Sequence, residues 1–403
     1  MNTFREIEGG VTAPKGFLAS GVFCGIRKAK KDIAIIRSVT PAKVASVFTL
    51  NRTQAAPVVL DKLILKKSNR CSAIVANSGN ANACTGERGL NDAERMVELT
   101  AEILGVAKDK ILVASTGVIG QYLPMDAIEK GIAQAAIELS DLGSDDAAEA
   151  IMTTDTFSKK CTVSFLIGEK EIVIGGIAKG SGMIQPNMAT MLAFITTDAN
   201  IEVDLLQKIF RSSINRSFNR ISVDGDMSTN DMAVLLANGM AENAEISEGT
   251  EEARLFESAL DHVVITLAKM IARDGEGATK LVEIEVTGAA THNDAVIAAR
   301  SVANSNLVKT AIHGEDANWG RILAALGYSG VELFPEQIEL RMNNLPILGK
   351  GYKILIDEVK AKEALSKNEI SLSIELNQGV GTATFWTCDL TKEYININAS
   401  YRS

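Results

Sequence analysis

The chain has 403 residues, enough for two or three domains with a large buried core, and its 46% hydrophobic residues are typical of an ordinary globular protein. Its formal net charge of −9 argues against nucleic acid as the main partner, because phosphate binding needs a concentrated basic surface. No apolar run approaches the roughly 18 residues that span a membrane, and the first residues lack the basic-then-apolar pattern of a secretory signal. We therefore expect a soluble cytoplasmic protein with neither a nucleic-acid nor a membrane partner.

The residues that most often ligate metals are few and scattered. The five cysteines include no CxxC pair, and the three histidines include no HxxxH or HExxH spacing. The cysteines are therefore interpreted as small buried apolar residues, and we predict neither a disulfide framework nor a metal site. A catalytic triad built on histidine is poorly supplied for the same reason.

The first part of the chain alternates strand and helix patterns. Apolar runs predict strands at residues 32–36, 44–49, 72–77 and 111–114. The third of these strands leads into a loop of small polar residues at 78–86. Such a loop could let a ligand approach its backbone N–H groups, or it could be a plain surface turn, and the two interpretations are equally supported. The helix that follows is predicted to begin at Asp92 and to end at Gly105.

Thr116 and Gly117 follow the strand at 111–114 and form a candidate site. A threonine hydroxyl and a glycine N–H at a strand end could donate hydrogen bonds to an oxygen that becomes negative in a transition state. On these residues alone, an ordinary strand-end turn is the better explanation.

Helical patterns cover residues 125–139 and 145–152, and a cluster of hydroxyl side chains, Thr153–Thr156, comes next. Two further strands are predicted at 161–167 and 172–177. The turn between them, Gly168-Glu169-Lys170, is typical of a β-hairpin.

The centre of the chain, Lys179–Asp198, changes from a glycine-rich polar run to an apolar one within a few residues. The turn-forming half ends near Met188 and a strand begins beside Thr190, so a hydroxyl lies where a loop enters a strand. This is a suitable place for a nucleophile and also a common place for an ordinary threonine. A phosphate loop is not indicated, because Ser181 follows Gly180 where the GxxxxGK[ST] pattern requires lysine.

Threonine is a weak nucleophile unless a base activates it. An N-terminal threonine carries its own base, because an α-amine titrates at roughly 7.7–8.0 and can take the hydroxyl proton. For Thr190 this route would require cleavage of the Ala189–Thr190 bond.

The second half begins with a predicted strand at 191–196 and a predicted helix at 203–210. The loop at 222–231 is rich in acidic and hydroxyl side chains. It lacks the glycine and the glutamate that an EF-hand needs, so we interpret it as a structural or site-lining loop.

A long helix is predicted at 251–271, and the turn after it holds Glu276 between two glycines, which suits a carboxylate on a tight, exposed turn. From residue 281 a strand, two helices and several short strands predict a second lobe. Apolar and polar residues alternate at 393–403, and this pattern predicts that the tail is a strand.

Several of these stretches together resemble the ornithine acetyltransferase family of arginine biosynthesis, also called the glutamate N-acetyltransferase family. The matching segments agree in order over nearly the whole chain. They are Asn77–Ala83, Ser115–Gly120, Lys179–Ile184, Met188–Leu192, Asp224–Asp231, Arg273–Lys280 and Asn398–Ala399.

The resemblance implies an α/β fold, a layered αββα-type sandwich similar to N-terminal-nucleophile hydrolases, with a second α/β lobe. It also implies that the chain cuts itself between Ala189 and Thr190 into an α chain of residues 1–189 and a β chain of residues 190–403. Within the β chain, residues 190–280 would complete the main sandwich, 281–390 would form the second lobe and 391–403 would return to the active site. Two α and two β chains would assemble together.

The implied reaction moves an acetyl group from N2-acetyl-L-ornithine to L-glutamate through an acetyl-Thr190 intermediate. Thr116 and Gly117 match the pair that stabilises the oxyanion. The implied substrate contacts are Thr154, Lys179, Thr190, Glu276, Asn398 and Ser403. Lys179 would meet a substrate carboxylate, and Glu276 the cationic end of ornithine. The resemblance implies no cofactor, with acetyl-coenzyme A as a candidate second donor.

The sequence departs from the family near its end, where Ser403 replaces a frequent threonine and Ser400 replaces an acidic residue. Ser403 keeps the hydroxyl, so we expect its contact to persist, whereas the change at Ser400 alters the local charge. Two alternatives remain open: an aminopeptidase-like N-terminal-nucleophile hydrolase that passes the acyl group to water, and a binding protein in which Thr190 is only a strand residue.

Overall fold

The structure, a computed structural model, describes residues 4–185 and 191–400. These residues divide into two compact units. The first contains residues 4–185, 191–219 and 226–271, and the second contains residues 220–225 and 272–400.

The first unit holds the strands and helices on which the predicted nucleophile region depends. Its strands are β1 (Phe4–Glu6), β2 (Phe17–Val22), β3 (Ile33–Phe48), β4 (Arg70–Asn80), β5 (Ile111–Val118), β6 (Lys159–Ile167), β7 (Lys170–Lys179), β8 (Leu192–Thr197) and β9 (Met232–Ala237). Its helices are α1 (Ala56–Lys67), α2 (Gly86–Leu104), α3 (Met125–Ile137), α4 (Ser144–Ala150), α5 (Val203–Arg216) and α6 (Glu251–Arg273), whose last two residues count with the second unit.

The described strands of the first unit pair in the order β1-β6-β7-β8-β9-β3-β4-β5, with β2 pairing with β3. Strand β3 has different neighbours along its length: its first half pairs with β2 and β4, and its second half pairs with β9. The prediction of two separate strands in this stretch is wrong. The register shifts between Arg37 and Ala42, and this irregularity accommodates Pro41, which has no N–H to donate, without ending the strand.

Helices pack against the sheet in a layered arrangement. Leu192 and Phe194 of β8 share a buried core with Ile74 of β4 and Leu112 of β5. Helices α1 and α2 contact β5, and α6 packs directly on β7, where a Cβ at Gly176 would lie 2.9 Å from Leu267 Cδ1. The predicted layered α/β sandwich is confirmed.

The central strands β8 and β9 run parallel, and all six residues of each are buried, as expected for strands covered on both faces. Lys179, the last residue of β7, is paired in register with Leu192, the first residue of β8. Met191 is fixed just before β8 because its carbonyl accepts a 3.0 Å hydrogen bond from Met232 N. The end of β7 and the starts of β8 and β9 therefore lie at one edge of the sheet.

The second unit is a smaller α/β assembly. Its strands are β10 (Leu281–Ala289), β11 (Glu339–Met342), β12 (Leu345–Gly349), β13 (Lys353–Ile354), β14 (Glu369–Glu375) and β15 (Gly381–Cys388). They pair in the order β13-β12-β11-β14-β10-β15. Its helices are α7 (His292–Ala303), α8 (Asn306–His313), α9 (Trp319–Gly327), α10 (Glu358–Leu365) and α11 (Lys392–Ser400), and α7 packs on β10 and β15.

The tail is a helix, so the strand predicted at 393–403 is wrong for its described part. Thr391 begins the helix, and its hydroxyl oxygen accepts a 3.1 Å hydrogen bond from Glu393 N and donates to Gly277 O at 2.7 Å. Asn398 Nδ2 donates to Tyr394 O, four residues earlier, at 3.0 Å. A short period-2 pattern does not produce a strand when these local hydrogen bonds satisfy the first helical turn.

Candidate active site

Two predicted site residues of the first unit meet at strand ends. Lys179 ends β7, and its Nζ donates a hydrogen bond of 3.4 Å to Thr116 Oγ1 near the end of β5. Lys179 is nearly buried, and Thr116 is half-buried. The bond uses a lone pair of the Thr116 oxygen, so the hydroxyl hydrogen can be donated to another oxygen.

Gly117 is required by its surroundings. Its φ is +132°, and a Cβ at this position would lie 2.3 Å from the carbonyl carbon of Gly79 in β4 and 2.5 Å from Asn80 N. Only glycine allows the two parallel strands to approach so closely at this point. The backbone beside the Thr116 hydroxyl is thereby held in a fixed position.

Asp155, a buried carboxylate that the sequence analysis did not single out, connects several parts of the site. Its Oδ1 accepts hydrogen bonds of 2.7 Å from Gly180 N and from Lys159 Nζ, and its Oδ2 lies 4.0 Å from Lys179 Nζ. Burial acts to raise the pKa of this carboxyl, but the charges of Lys159 and Lys179 and the hydrogen bonds outweigh it and hold the pKa well below its ordinary value.

Thr154 lies in the half-buried loop beside Asp155. Arg27 holds the backbone of this loop, donating at 2.7 Å to Met152 O and at 3.0 Å to Thr153 O, while Thr153 N donates to Asp155 Oδ2 at 2.9 Å. The structure thus attaches the Thr154 loop and Lys179 to the same carboxylate.

The loop at 222–231 contributes two buried residues next to this group. Asn230 Nδ2 donates to Ala81 O at 2.5 Å and to Ser115 O at 2.8 Å, which ties the start of β9 to the ends of β4 and β5. Burial raises the pKa of the Asp231 carboxyl well above its ordinary value, although the Ser228 and Thr49 hydroxyls, the Met191 backbone and the Lys179 charge act against the rise. The sequence signals for both residues were the density of polar residues and the family match at Asp224–Asp231.

Ala189, Thr190 and Ser403 lie outside the described residues. The described chain resumes at Met191, the residue after Thr190. The assignments of the cleaved bond, of the nucleophile and of the last substrate contact therefore stay predictions.

The second unit contains the other two predicted contacts, and it brings them together. Asn398 Nδ2 on α11 donates a 2.7 Å hydrogen bond to Glu276 Oε2. Glu276 lies in a turn closed by a 2.8 Å bond from Ala278 N to Gly275 O, and Gly277 supplies the positive φ of +71°. The expectation of an exposed carboxylate is wrong, because Glu276 is only 8% exposed.

Among residues 4–185 and 191–400, no cluster of three or more histidine, cysteine, aspartate or glutamate side chains has the arrangement of a metal site. Within the same ranges no helix is both long and apolar enough to cross a bilayer. The described groups offer a hydroxyl donor, a lysine charge and a fixed backbone. These groups can bind a carboxylate and stabilise an acyl oxygen that becomes negative.

The layered fold and these groups are those of an enzyme that transfers acyl groups. A model of the ArgJ family matches residues 18–403. The chain is 53% identical over 401 residues to the arginine biosynthesis bifunctional protein ArgJ of Caldanaerobacter subterraneus subsp. tengcongensis, covering 98% of this chain and 99% of that protein. It is 52% identical over 400 residues to the protein of the same name from Symbiobacterium thermophilum, with coverage of 98% and 99%. The chain belongs to the ArgJ family and is an enzyme of arginine biosynthesis.

Two solved structures are also similar. The ArgJ protein of Bacillus halodurans is 43% identical, with 46% of this chain and 98% of that chain covered and a TM-score of 0.44. The ornithine acetyltransferase of Mycobacterium tuberculosis, solved in complex with ornithine, is 38% identical, with 46% and 100% covered and a TM-score of 0.44.

Proposed function

We propose that the enzyme transfers an acetyl group from N2-acetyl-L-ornithine to L-glutamate and that it makes its own nucleophile by cutting the Ala189–Thr190 bond. Membership of the ArgJ family supports the reaction. The observation that carries the site is the 3.4 Å contact of Lys179 Nζ with Thr116 Oγ1, at the end of β7, where Lys179 pairs with Leu192 at the start of β8.

In the first half-reaction the Thr190 hydroxyl attacks the acetyl carbonyl of acetylornithine, and the α-amine of Thr190 takes the hydroxyl proton. The carbonyl oxygen becomes negative, and the Thr116 hydroxyl and Gly117 N–H donate to it. The C–N bond of acetylornithine then breaks, the α-ammonium returns the proton to the departing amine, and ornithine leaves. The acetyl group remains on Thr190 as an ester.

In the second half-reaction the α-amine of glutamate attacks the ester. The same oxygen becomes negative again, the C–O bond to Thr190 breaks, and the proton of the attacking amine passes through the α-amine to the Thr190 oxygen. N-acetylglutamate leaves, and the enzyme is ready for another cycle without a cofactor.

Charge complementarity assigns the substrate contacts. Lys179 binds the α-carboxylate that acetylornithine and glutamate share, with Thr154 and Ser403 as hydroxyl partners. Glu276 binds the side-chain ammonium of ornithine. The 2.7 Å hydrogen bond from Asn398 Nδ2 to Glu276 Oε2 supports the role of Asn398 in orienting the carboxylate.

We further propose that the cut enzyme contains two α and two β chains and that it is cytoplasmic. We also propose that acetyl-coenzyme A serves as a second acetyl donor to glutamate, as the name "bifunctional" of its relatives suggests.

The decisive experiment combines chain analysis with an acetyl-transfer assay on the purified protein and on Thr190→Ala. Denaturing electrophoresis is expected to separate the native protein into two fragments whose masses add up to the 43.0 kDa chain. Thr190→Ala is expected to stay as one inactive chain. Thr53→Ala, which removes an exposed hydroxyl, serves as the matched control and should be cut and active.

The products distinguish the competing functions. Acetylglutamate formed from acetylornithine supports the proposal, and its formation from acetyl-coenzyme A without acetylornithine supports the second donor. Free acetate as the main product would identify a hydrolase. An intact native chain, or a cut and active Thr190→Ala protein, would overturn the assignment of Thr190.

A further inference from the structure

The hydroxyl group of Thr391 connects two elements of the second unit. It donates a 2.7 Å hydrogen bond to Gly277 O, in the turn that contains Glu276, and it accepts a 3.1 Å hydrogen bond from Glu393 N in the first turn of α11. The second of these bonds is that of a helix N-cap. One side chain therefore binds the turn that carries Glu276 and begins the helix that carries Asn398.

The turn and the start of α11 are in direct backbone contact at this point. A Cβ at Gly277 would lie 2.6 Å from Tyr394 N and 2.9 Å from the carbonyl carbon of Glu393. Only glycine allows the two segments to approach so closely. A displacement of the start of α11 is therefore transmitted to the turn.

The chain just before Thr391 fixes the residues that follow the turn. Asp389 Oδ1 accepts hydrogen bonds from Thr279 N and Lys280 N at 2.8 and 2.9 Å, and Asp389 Oδ2 accepts one from Thr279 Oγ1 at 2.6 Å. Asp389 is buried, so these bonds form where water competes little. Asp389 thus holds the end of the turn, whereas Thr391 holds the turn itself and joins it to α11.

The other end of α11 meets the carboxylate of the same turn. Asn398 lies about two helical turns beyond Thr391, and its Nδ2 donates the 2.7 Å hydrogen bond to Glu276 Oε2. A carboxylate offers about four lone pairs, so this bond is compatible with a further bond from a substrate ammonium. The direction of α11, which depends on its first turn, decides where the Asn398 amide meets Glu276.

We propose that Thr391 is a positioning residue for the Glu276–Asn398 pair and that it thereby sets the preference of the enzyme for acetyl donors with a cationic side chain. The inference rests on the proposed function, which it deepens by naming a residue that supports selection of the ornithine side chain. Thr391 acts through the turn and through α11, without contact to the substrate.

The test compares two acetyl donors that differ only in the side-chain ammonium: N2-acetyl-L-ornithine and N-acetyl-L-norvaline. For the native enzyme and each variant, kcat and KM are measured for both donors with glutamate as acceptor, and rates are expressed per cut chain. The ratio of the two kcat/KM values measures selection of the ammonium. A misplaced carboxylate weakens a charge-assisted hydrogen bond, which corresponds to a factor of roughly 5 to 50 in this ratio.

Thr391→Ala is expected to lower kcat/KM for acetylornithine about 5- to 50-fold, mainly through KM, and to leave acetylnorvaline nearly unchanged. Thr391→Ser keeps the hydroxyl and should retain the native ratio. Thr291→Ala is the matched control, because Thr291 is also a threonine N-cap of the second unit and accepts a 3.1 Å hydrogen bond from Asp294 N in α7. This control loses a cap of the same kind and should also keep the native ratio.

A double-variant comparison shows whether Thr391 acts through Glu276. Glu276→Gln is expected to lose selection of the ammonium, because the negative charge is removed. Thr391→Ala added to Glu276→Gln should then lower the ratio no further, as expected for two changes that act on one interaction.

Equal losses on both donors, an unchanged ratio in Thr391→Ala, or a loss of the same size in Thr391→Ser or Thr291→Ala would overturn the proposal. A further selective loss in the double variant would overturn it too. Where Thr391→Ala does not fold, Thr391→Cys decides, since its thiol fills the place of the hydroxyl but is a weak donor and acceptor. A selective loss on acetylornithine in Thr391→Cys supports the proposal, and no loss or an equal loss on both donors refutes it. A native ratio in Glu276→Gln would count against the proposed function instead.

Discussion

Asp155 and Asp231 are two buried carboxyl groups near Lys179 whose pKa values are shifted in opposite directions. Asp155 has two lysines and two backbone N–H groups within reach, and its pKa is lowered. Asp231 has mostly neutral neighbours, so burial dominates and its pKa is raised. Separation of two carboxyl groups in this way is typical of sites where one must stay charged and the other can hold a proton.

The residues of the candidate site differ in how far sequence could predict them. Thr116, Lys179 and Glu276 follow from the family resemblance, and the strand patterns place the first two at strand ends. Asp155 and Asn230 could not be predicted, because their roles arise from partners far away in sequence, such as Gly180 for Asp155 and Ser115 for Asn230. A single sequence does not report such contacts.

Asp61 gives a prediction for stability. It is fully buried on α1, its Oδ1 accepts a 3.0 Å bond from Val113 N, and its Oδ2 has no partner among the described residues. Burial raises its pKa well above the ordinary value despite that bond. Between the unfolded pKa of about 3.9 and the raised folded pKa, the folded state holds a proton that the unfolded state has released, so stability falls as pH rises by about 1.4 kcal/mol per unit.

We therefore expect Asp61→Asn to gain stability relative to the native protein as pH increases above about 4, measured as the free energy of urea unfolding at several pH values. Asp357→Asn is the control, because bonds from Lys360 lower the pKa of this exposed cap of α10, so its pH dependence lies below about 4 and its difference from the native protein should stay constant above that pH. A pH-independent difference between Asp61→Asn and the native protein would contradict the expectation.

At the scale of elements, strand and helix predictions were right where a long pattern met a clear boundary. The hairpin at β6 and β7 and the end of α2 at Gly105 are examples, since the turn at Gly168 and the left-handed φ of +67° at Gly105 are local features; the start of α2 was wrong, because the helix begins at Gly86 and not at Asp92. Strand β3 and helix α11 were predicted wrongly. A sheet partner carries β3 through Pro41, so a tertiary contact decided that strand, whereas a local hydrogen bond from Glu393 N to the Thr391 hydroxyl favours the helix at α11.

The close approach of β4 and β5 gives the second prediction. Gly117→Ala would place a Cβ 2.3 Å from Gly79 in β4, so the strands must separate, and we expect a stability loss of at least about 1–3 kcal/mol together with reduced acetyl transfer. Gly120→Ala is the matched control, because Gly120 also has a positive φ, +80°, but a Cβ added there would meet no described atom within 4 Å beyond its chain neighbours. Gly120→Ala should lose about 1 kcal/mol of stability and keep its acetyl-transfer activity. Equal effects of the two substitutions on stability and activity would show that backbone strain alone matters.

At the scale of the whole chain, the proposed cut falls in sequence between β7 and β8, two neighbouring strands of the sheet of the first unit. The piece before it supplies β1, β6 and β7 on one side and β3, β4 and β5 on the other, while the later piece supplies β8 and β9 between them. Cutting breaks one peptide bond and leaves the ladders from β7 to β8 and from β9 to β3 in place. The fragments should therefore separate only under denaturing conditions.

This arrangement predicts that the refolding rate depends on protein concentration for the cut protein and not for the uncut protein. The cut protein must bring two fragments together, so tenfold dilution should lengthen its refolding half-time about tenfold, as expected for a bimolecular step. Thr190→Ala, as a single chain, should refold at a rate independent of concentration. Recovery of β-sheet circular dichroism after dilution from urea measures both, and equal concentration dependence in the two proteins would contradict the prediction.

Under the proposed cut, the insertion of β8 and β9 between strands of the other fragment would also limit the life of each molecule in the cell. A covalently continuous chain can be unfolded by heat or by a chaperone and can return to its native state many times. A cut molecule would return less readily, because its two fragments separate once the sheet opens and must meet again before they can refold. Under the proposed cut, the cell would recover lost enzyme mainly by new synthesis, and the abundance of the enzyme would follow the age of the protein population as well as its stability.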